Sequence, residues 1–105
     1  MKLISLFSKK GSCPAFKRKT KRVAFEIMAP KANNVKLTGD FLNWDKEGLK
    51  MKKTNKGLWK IGVSLCSGRY EYKFIVDDEW RIDPQNNEIA ETSLGSINSI
   101  KEIVI

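Results

Sequence analysis

Two runs of strict alternation, joined at Ser67-Gly68, constrain this chain most. In the first, Trp59, Ile61, Val63 and Leu65 alternate with Leu58, Lys60, Gly62 and Ser64. In the second, Tyr70, Tyr72, Phe74 and Val76 alternate with Arg69, Glu71, Lys73 and Ile75. A period of two sends the two sets to opposite faces of a β-strand. No segment shows a convincing helical period. The same alternation places Val23, Phe25 and Ile27 on one face of an earlier strand, which Pro30 ends because it has no N–H for a ladder. Asn33-Asn34 reads as a turn, and Val35, Leu37 and Gly39 share one face of a second strand. Leu49 and Met51 open a third, and Asn55-Lys56-Gly57 reads as a tight hairpin turn. Asp77-Asp78 turns into Glu79 to Ile82, residues 86–98 read as loop, and Ser99 to Ile105 form a last strand. About seven short strands, with turns roughly every eight to twelve residues, predict an all-β antiparallel sandwich.

A chain of 105 residues is sized for one domain. Its net charge of +8 suggests a polyanion partner until the charges are located. Lys2, Lys9, Lys10, Lys17, Arg18, Lys19, Lys21 and Arg22 all precede the first acid, Glu26. Subtracting these eight from 20 Lys+Arg leaves 12, against 12 Asp+Glu, so the chain from Val23 onward is formally neutral. Residues 1–20 therefore read as a basic, flexible tail, and residues 21–105 as the sandwich. Leu3, Ile4, Leu6 and Phe7 beside the lysines give the tail a second reading, as a surface for an anionic membrane or a protein partner. Nucleic acid is not an expected partner, since the folded part has no net positive field. No segment is long and apolar enough to span a bilayer. Lys9 and Lys10 interrupt the opening apolar stretch before it makes a secretory core, so a cytoplasmic location is expected. Cys13 and Cys66 have neither a framework nor a metal-binding spacing and are expected to be free thiols.

Three tryptophans differ in their surroundings. Trp59 belongs to the apolar set of its strand and reads as core. Trp44, between Asn43 and Asp45, and Trp80, between Glu79 and Arg81, sit in polar, turn-like sequence. Each could fold back on the edge of the core. Left in water, each is a flat platform for a flat, partly apolar ligand, and the face of a sugar ring is such a surface. Lys73 projects away from Tyr72 and Phe74, either solvated or donating to hydroxyls or carboxylates. An enzyme is the weaker reading. The chain has no histidine, the commonest general base. Asp77, Asp78 and Glu79 are crowded into one turn rather than set across a cleft, as a glycosidase requires.

These segments also carry a family resemblance. Gly39-Asp40-Phe41-Leu42-Asn43-Trp44, then Gly68 through Asp77, then Trp80 and Asp83-Pro84, closely resemble the glycogen- and starch-binding modules of carbohydrate-binding family 48. Such modules occur in the β subunit of AMP-activated protein kinase and before the catalytic domains of branching and debranching enzymes. The resemblance covers roughly residues 21–105. It implies an immunoglobulin-like sandwich that binds α-1,4-glucan, as glycogen, starch or maltooligosaccharide, without chemistry, metal or cofactor. It also implies that Trp44 and Trp80 stack on glucose rings, that Lys73 and Asn98 bond hydroxyls, and that Leu94 enters the curve of the glucan. Ser96 stands where the family often has threonine. Asp77-Asp78 replaces the usual Asp-Gly, and aspartate takes a positive φ less readily than glycine, which bears on how the turn aims Trp80. The alternative is an interaction, scaffold or regulatory module of a glucan-metabolising enzyme or kinase complex, catalogued with glycoside hydrolases through its relatives.

Overall fold

The computed structural model describes residues 19–105. The basic tail expected over residues 1–20 lies, up to Arg18, outside the described residues. The described residues form nine strands: β1 (Lys21–Met28), β2 (Val35–Gly39), β3 (Leu49–Lys50), β4 (Lys52–Lys53), β5 (Leu58–Leu65), β6 (Gly68–Val76), β7 (Glu79–Arg81), β8 (Ile89–Glu91) and β9 (Ile97–Ile103). A 3-10 turn spans Asp40–Leu42. All pairings are antiparallel. One sheet has the order β1-β5-β4. The other runs β3-β2-β6-β9-β8, with β7 also paired to β6. The expected all-β antiparallel sandwich is the observed fold.

Four details depart from expectation. The strand begun by Leu49 divides between the two sheets, β3 joining β2 and β4 joining β5. Met51 is the crossing point. It is buried, and its N–H donates to the Val35 carbonyl at 2.9 Å. Residues 86–98 are not all loop, because β8 and the start of β9 lie within them. The edge strand β8 is three residues long and buries none of them fully, so it leaves no apolar alternation to reveal it. The last strand stops at Ile103, leaving Val104 and Ile105 exposed. Cys66 is buried and disulfide-bonded rather than free. Two cysteines without a framework spacing carry no sequence signal of pairing, and Cys13 lies outside the described residues.

The core sits between the sheets. It takes Val23, Phe25 and Ile27 from β1, Val35 and Leu37 from β2, Trp59 and Leu65 from β5, and Tyr70, Tyr72, Phe74 and Val76 from β6. Trp59 is core, as its alternation predicts, and its indole N–H donates to the Ala29 carbonyl at 2.8 Å. Tyr72 meets Phe25 edge-on at 5.0 Å and 72°, and Phe74 at 5.8 Å and 83°, the arrangement ring quadrupoles favour. Its hydroxyl donates to Asp83 Oδ2 at 2.7 Å and accepts from Asn86 Nδ2 at 3.0 Å. The Asp83 N–H donates to Ser99 Oγ at 2.7 Å. Asp83-Pro84 thus ties the segment after β7 to the middle of the large sheet.

Burial pushes the Tyr72 phenol well above its ordinary value, and the neighbouring Asp83 adds to the rise. Burial also raises Tyr70, against the lowering effect of its bond to the Cys66 carbonyl. These are the chain's two tyrosines. In the unfolded chain both phenols ionise near 10.0, while the folded chain still holds their protons. Their contribution to stability is therefore complete below that pH and is lost as pH rises further. In an alkaline titration, phenolate absorbance should appear together with loss of β-sheet ellipticity. Phenolate with an ordinary midpoint in a still-folded protein would contradict this account.

Candidate functional site

The outward residues of β6 are Glu71, Lys73 and Ile75, and pairing register extends this face across the sheet. Thr38 lies opposite Lys73, and Lys36 opposite Ile75, on β2. Trp80 of β7 lies opposite Ile75 on its other side. Ile100 of β9 lies opposite Glu71, which puts Asn98, two residues earlier, on the same face. Asn98 is 7% exposed, and its Nδ2 donates to Glu71 Oε1 at 2.9 Å. Arg69 holds the other oxygen of Glu71 at 3.1 Å. Lys73, Trp80 and Asn98 therefore share the face turned away from the core. Trp80 is 45% exposed, whereas Ile75 between Lys36 and Trp80 is only 4% exposed although it points outward. The indole and the lysine stem flank it in the row.

Trp44 lies in the loop after β2, beyond the turn over Asp40–Leu42. A Cβ on Gly39 would fall 2.4 Å from the Glu71 carbonyl oxygen, so the close approach of β2 and β6 requires glycine there. Beyond it β2 no longer pairs, and Asp40 takes over. Its Oδ2 accepts the Glu71 N–H at 2.9 Å, and its Oδ1 accepts the Trp44 indole N–H at 3.0 Å. Phe41 turns inward, with its ring 5.8 Å from Phe25 and 6.1 Å from Tyr70. Asn43 and Trp44 both have left-handed backbones, φ 53° and 58°. That conformation costs roughly 1–2 kcal/mol for a residue with a Cβ. The bonds from the Trp44 N–H to the Gly39 carbonyl at 2.9 Å and from Asp45 N–H to the Leu42 carbonyl at 3.1 Å offset it. Thr38, on the face of Lys73, donates from Oγ1 to the Asp45 carbonyl at 2.7 Å, which ties the residue after the half-buried Trp44 to that face.

The turn before Trp80 takes positive φ at both central residues, 48° at Asp77 and 70° at Asp78, as a two-residue hairpin of type I′ requires. Asp77 Oδ1 accepts the N–H groups of Asn33 and Asn34, each at 2.9 Å. The Asp-for-Gly departure is accommodated, and the hairpin closes with Trp80 opposite Ile75. Leu94 lies at the tip of the β8–β9 hairpin and is 93% exposed. Its turn is held by the Thr92 N–H to the Ser96 carbonyl at 2.7 Å and by Gly95, with φ 88°.

Sequence reasoning missed Asp40, Glu71 and Thr38, the residues that hold the others. Asp40 had a signal, since an aspartate opening a turn often accepts from groups a few residues on. Glu71 had none, because its partner Asn98 is distant in sequence. A groove of about 510 Å³ opens between β1 and the Asp83 to Glu88 segment, and none of Trp44, Lys73, Trp80, Leu94 or Asn98 lines it. Among the described residues no group of His, Cys, Asp and Glu could hold a metal ion, and no helix is long and apolar enough to cross a membrane.

Residues 23–104 match the family described as the glycogen recognition site of AMP-activated protein kinase. The chain is 41% identical over 63 residues to Protein PTST homolog 2, chloroplastic, of Arabidopsis thaliana, covering 60% of this chain and 12% of that protein. It is 40% identical over 70 residues to the 1,4-alpha-glucan branching enzyme GlgB of Lactobacillus acidophilus, covering 62% and 11%. It is 33% identical over 69 residues to the 5'-AMP-activated protein kinase subunit beta-1 of Sus scrofa, covering 66% and 53%. The matched segment is thus a small part of the plant and bacterial proteins.

Asp40→Ala should lower stability by about 1–3 kcal/mol, the cost of leaving partly buried donors without an acceptor, measured by denaturant unfolding. The Glu71 amide should also exchange faster with solvent. An unchanged midpoint with unchanged Glu71 exchange would show that Asp40 does not carry the handover from β2.

Proposed function

The chain belongs to the family of glycogen-recognition domains of AMP-activated protein kinase, and from that premise we propose that it binds α-1,4-linked glucan through the outward face of its large sheet, without catalysis. The observation that carries this reading is the half-exposed Trp80 indole on the face that also holds Lys73 and Asn98. Trp80 and Trp44 supply ring platforms for glucose units. Lys73 donates to hydroxyls. Asn98, oriented by Glu71, sets register along the chain. Leu94, an apolar side chain with almost no cover, enters the inner curve of a coiled glucan. A helical glucan has curved apolar faces and a hydroxyl rim, so ring platforms and a few directional bonds suffice for its recognition. A shallow face also agrees with the absence of these residues from the lining of the groove.

Such a site buries little area. An affinity of about 1 mM to 1 μM follows, or roughly −4 to −8 kcal/mol. Several copies on one assembly would hold a branched glucan much more tightly by raising effective concentration. The domain then serves as a targeting module in a larger glucan-handling protein or complex.

Retardation in native gels containing glycogen tests the reading. Trp80→Ala should weaken binding at least about tenfold, a loss of roughly 1.4 kcal/mol, with an unchanged circular dichroism spectrum. Trp44→Ala should weaken it as much, with some loss of stability because that indole is bonded to Asp40. Lys73→Met should have a smaller effect in the same direction. Parent-like mobility of both tryptophan variants would sink the proposal.

A further inference from the structure

One row of the outward face has a charge pattern that a neutral glucan does not explain. Across β3, β2, β6 and β7, register places Lys50, Lys36, Ile75 and Trp80 side by side. With strands about 4.8 Å apart, Lys36 is about 10 Å and Lys50 about 15 Å from Trp80, backbone to backbone. Lys73 stands in the adjacent row, roughly 7 Å along β6 from Ile75. Like charges directly opposite one another destabilise a sheet. The other sheet has the same opposition, Lys52 against Lys60, but there Glu26 lies 3.6 Å from Lys60. Among the described residues no ion pair relieves Lys36 or Lys50. Three acids of the large sheet and its turns have other partners: Glu71 is held by Arg69 and Asn98, Glu79 by Arg81, and Asp77 by Asn33 and Asn34. The chain from Val23 onward is neutral overall, so this stripe is a local concentration of charge and not an overflow of general basicity.

We propose that Lys36 and Lys50 form a subsite for a phosphomonoester carried on the bound glucan, so that the face prefers phosphorylated over neutral α-glucan. The proposal rests on the glucan reading of Trp80 and adds the chemical class of its preferred ligand. The row starts at the sugar platform and runs away from it, so an ester a short way along a chain stacked on Trp80 meets the ammonium groups. A phosphomonoester carries about −1.5 to −2 charge at neutral pH. Lysine suits it because a point charge on a flexible stem follows an ester whose position varies along the polymer. Two exposed ammonium–phosphate pairs of ordinary surface strength multiply affinity by roughly three- to tenfold.

The test uses the full chain, one amylopectin preparation in its native phosphorylated form and after phosphatase treatment, and dextran sulfate as a non-α-1,4 polyanion. The parent should bind the phosphorylated form roughly three- to tenfold more tightly at low salt, a preference that shrinks as salt screens the pair. The Lys36→Gln/Lys50→Gln variant should bind both forms alike, with unchanged affinity for the treated form. It should fold at least as stably, because a like-charge opposition has been removed. Equal binding of both forms by the parent overturns the subsite and leaves the glucan reading intact. Phosphorylated binding lost in the lysine variant, with no binding of the treated form at all, upholds the subsite and overturns the neutral platform. Dextran sulfate bound as tightly as the phosphorylated glucan, and released by the same variant, overturns the proposal in favour of a general polyanion surface.

Discussion

Everything in this molecule is referred to the register of β6. Its inward set, Tyr70, Tyr72, Phe74 and Val76, is the middle of the core, and its outward set, Glu71, Lys73 and Ile75, is the middle of the proposed glucan face. A slip of one residue would exchange the two sets, burying a carboxylate and an ammonium and exposing four large side chains. The loss of apolar burial alone would be several kcal/mol, by the usual cost of about 1.5–3 kcal/mol for each large side chain. β2, β7 and β9 all pair with this strand. Each inherits its register, and with it the side on which Trp80, Thr38 and Asn98 emerge.

The second dependence is the handover at Gly39. A strand that continued past this point would cover the upper part of β6 and leave no place for the Trp44 loop. The chain instead stops pairing where glycine lets the backbones approach closely, and one carboxylate replaces the missing neighbour. Asp40 satisfies the Glu71 N–H and at the same time holds the Trp44 indole. Phe41, one residue on, enters the core beside Phe25 and Tyr70. Three consecutive residues thus end a strand, anchor a loop in the core and present an aromatic ring. The run Gly39-Asp40-Phe41 is physically required as a unit.

Much of this was legible in sequence, and the rest was hidden for definite reasons. β1, β2, β5 and β6 were legible because one face of each is buried, so apolar residues recur at every second position. β8 was not, because an exposed edge strand has no face to bury. The sheet change at Met51 was not, because alternation reports which face is inward and not which sheet a strand joins. Trp80 as an exposed ring could be read from its charged neighbours. Trp44 could be read only in part: the polar sequence around it suggested exposure, whereas a bond to Asp40 holds it half-buried. Glu71 as the support of Asn98, and the row from Lys50 to Trp80, depend on pairing register between distant segments. A single sequence does not contain that register.

Backbone strain completes the picture. Among the described residues, those other than glycine with positive φ are Asn43, Trp44, Asp77 and Asp78. Two carry Trp44 and two turn the chain into Trp80. Strained conformations persist only where surrounding bonds over-determine them, and both places meet that condition: Gly39, Asp40 and Thr38 hold the first, and Asn33 and Asn34 the second. The strained residues themselves add no buried side chain to the core, to which the first turn contributes only through Phe41. The common feature of the strained residues is that each lies in a turn that carries or leads into a tryptophan. The strained backbone thus gathers at two turns, each next to a tryptophan, while the paired strands between them keep ordinary conformations, and departures from local rule of this kind are expected first where a protein is shaped for function.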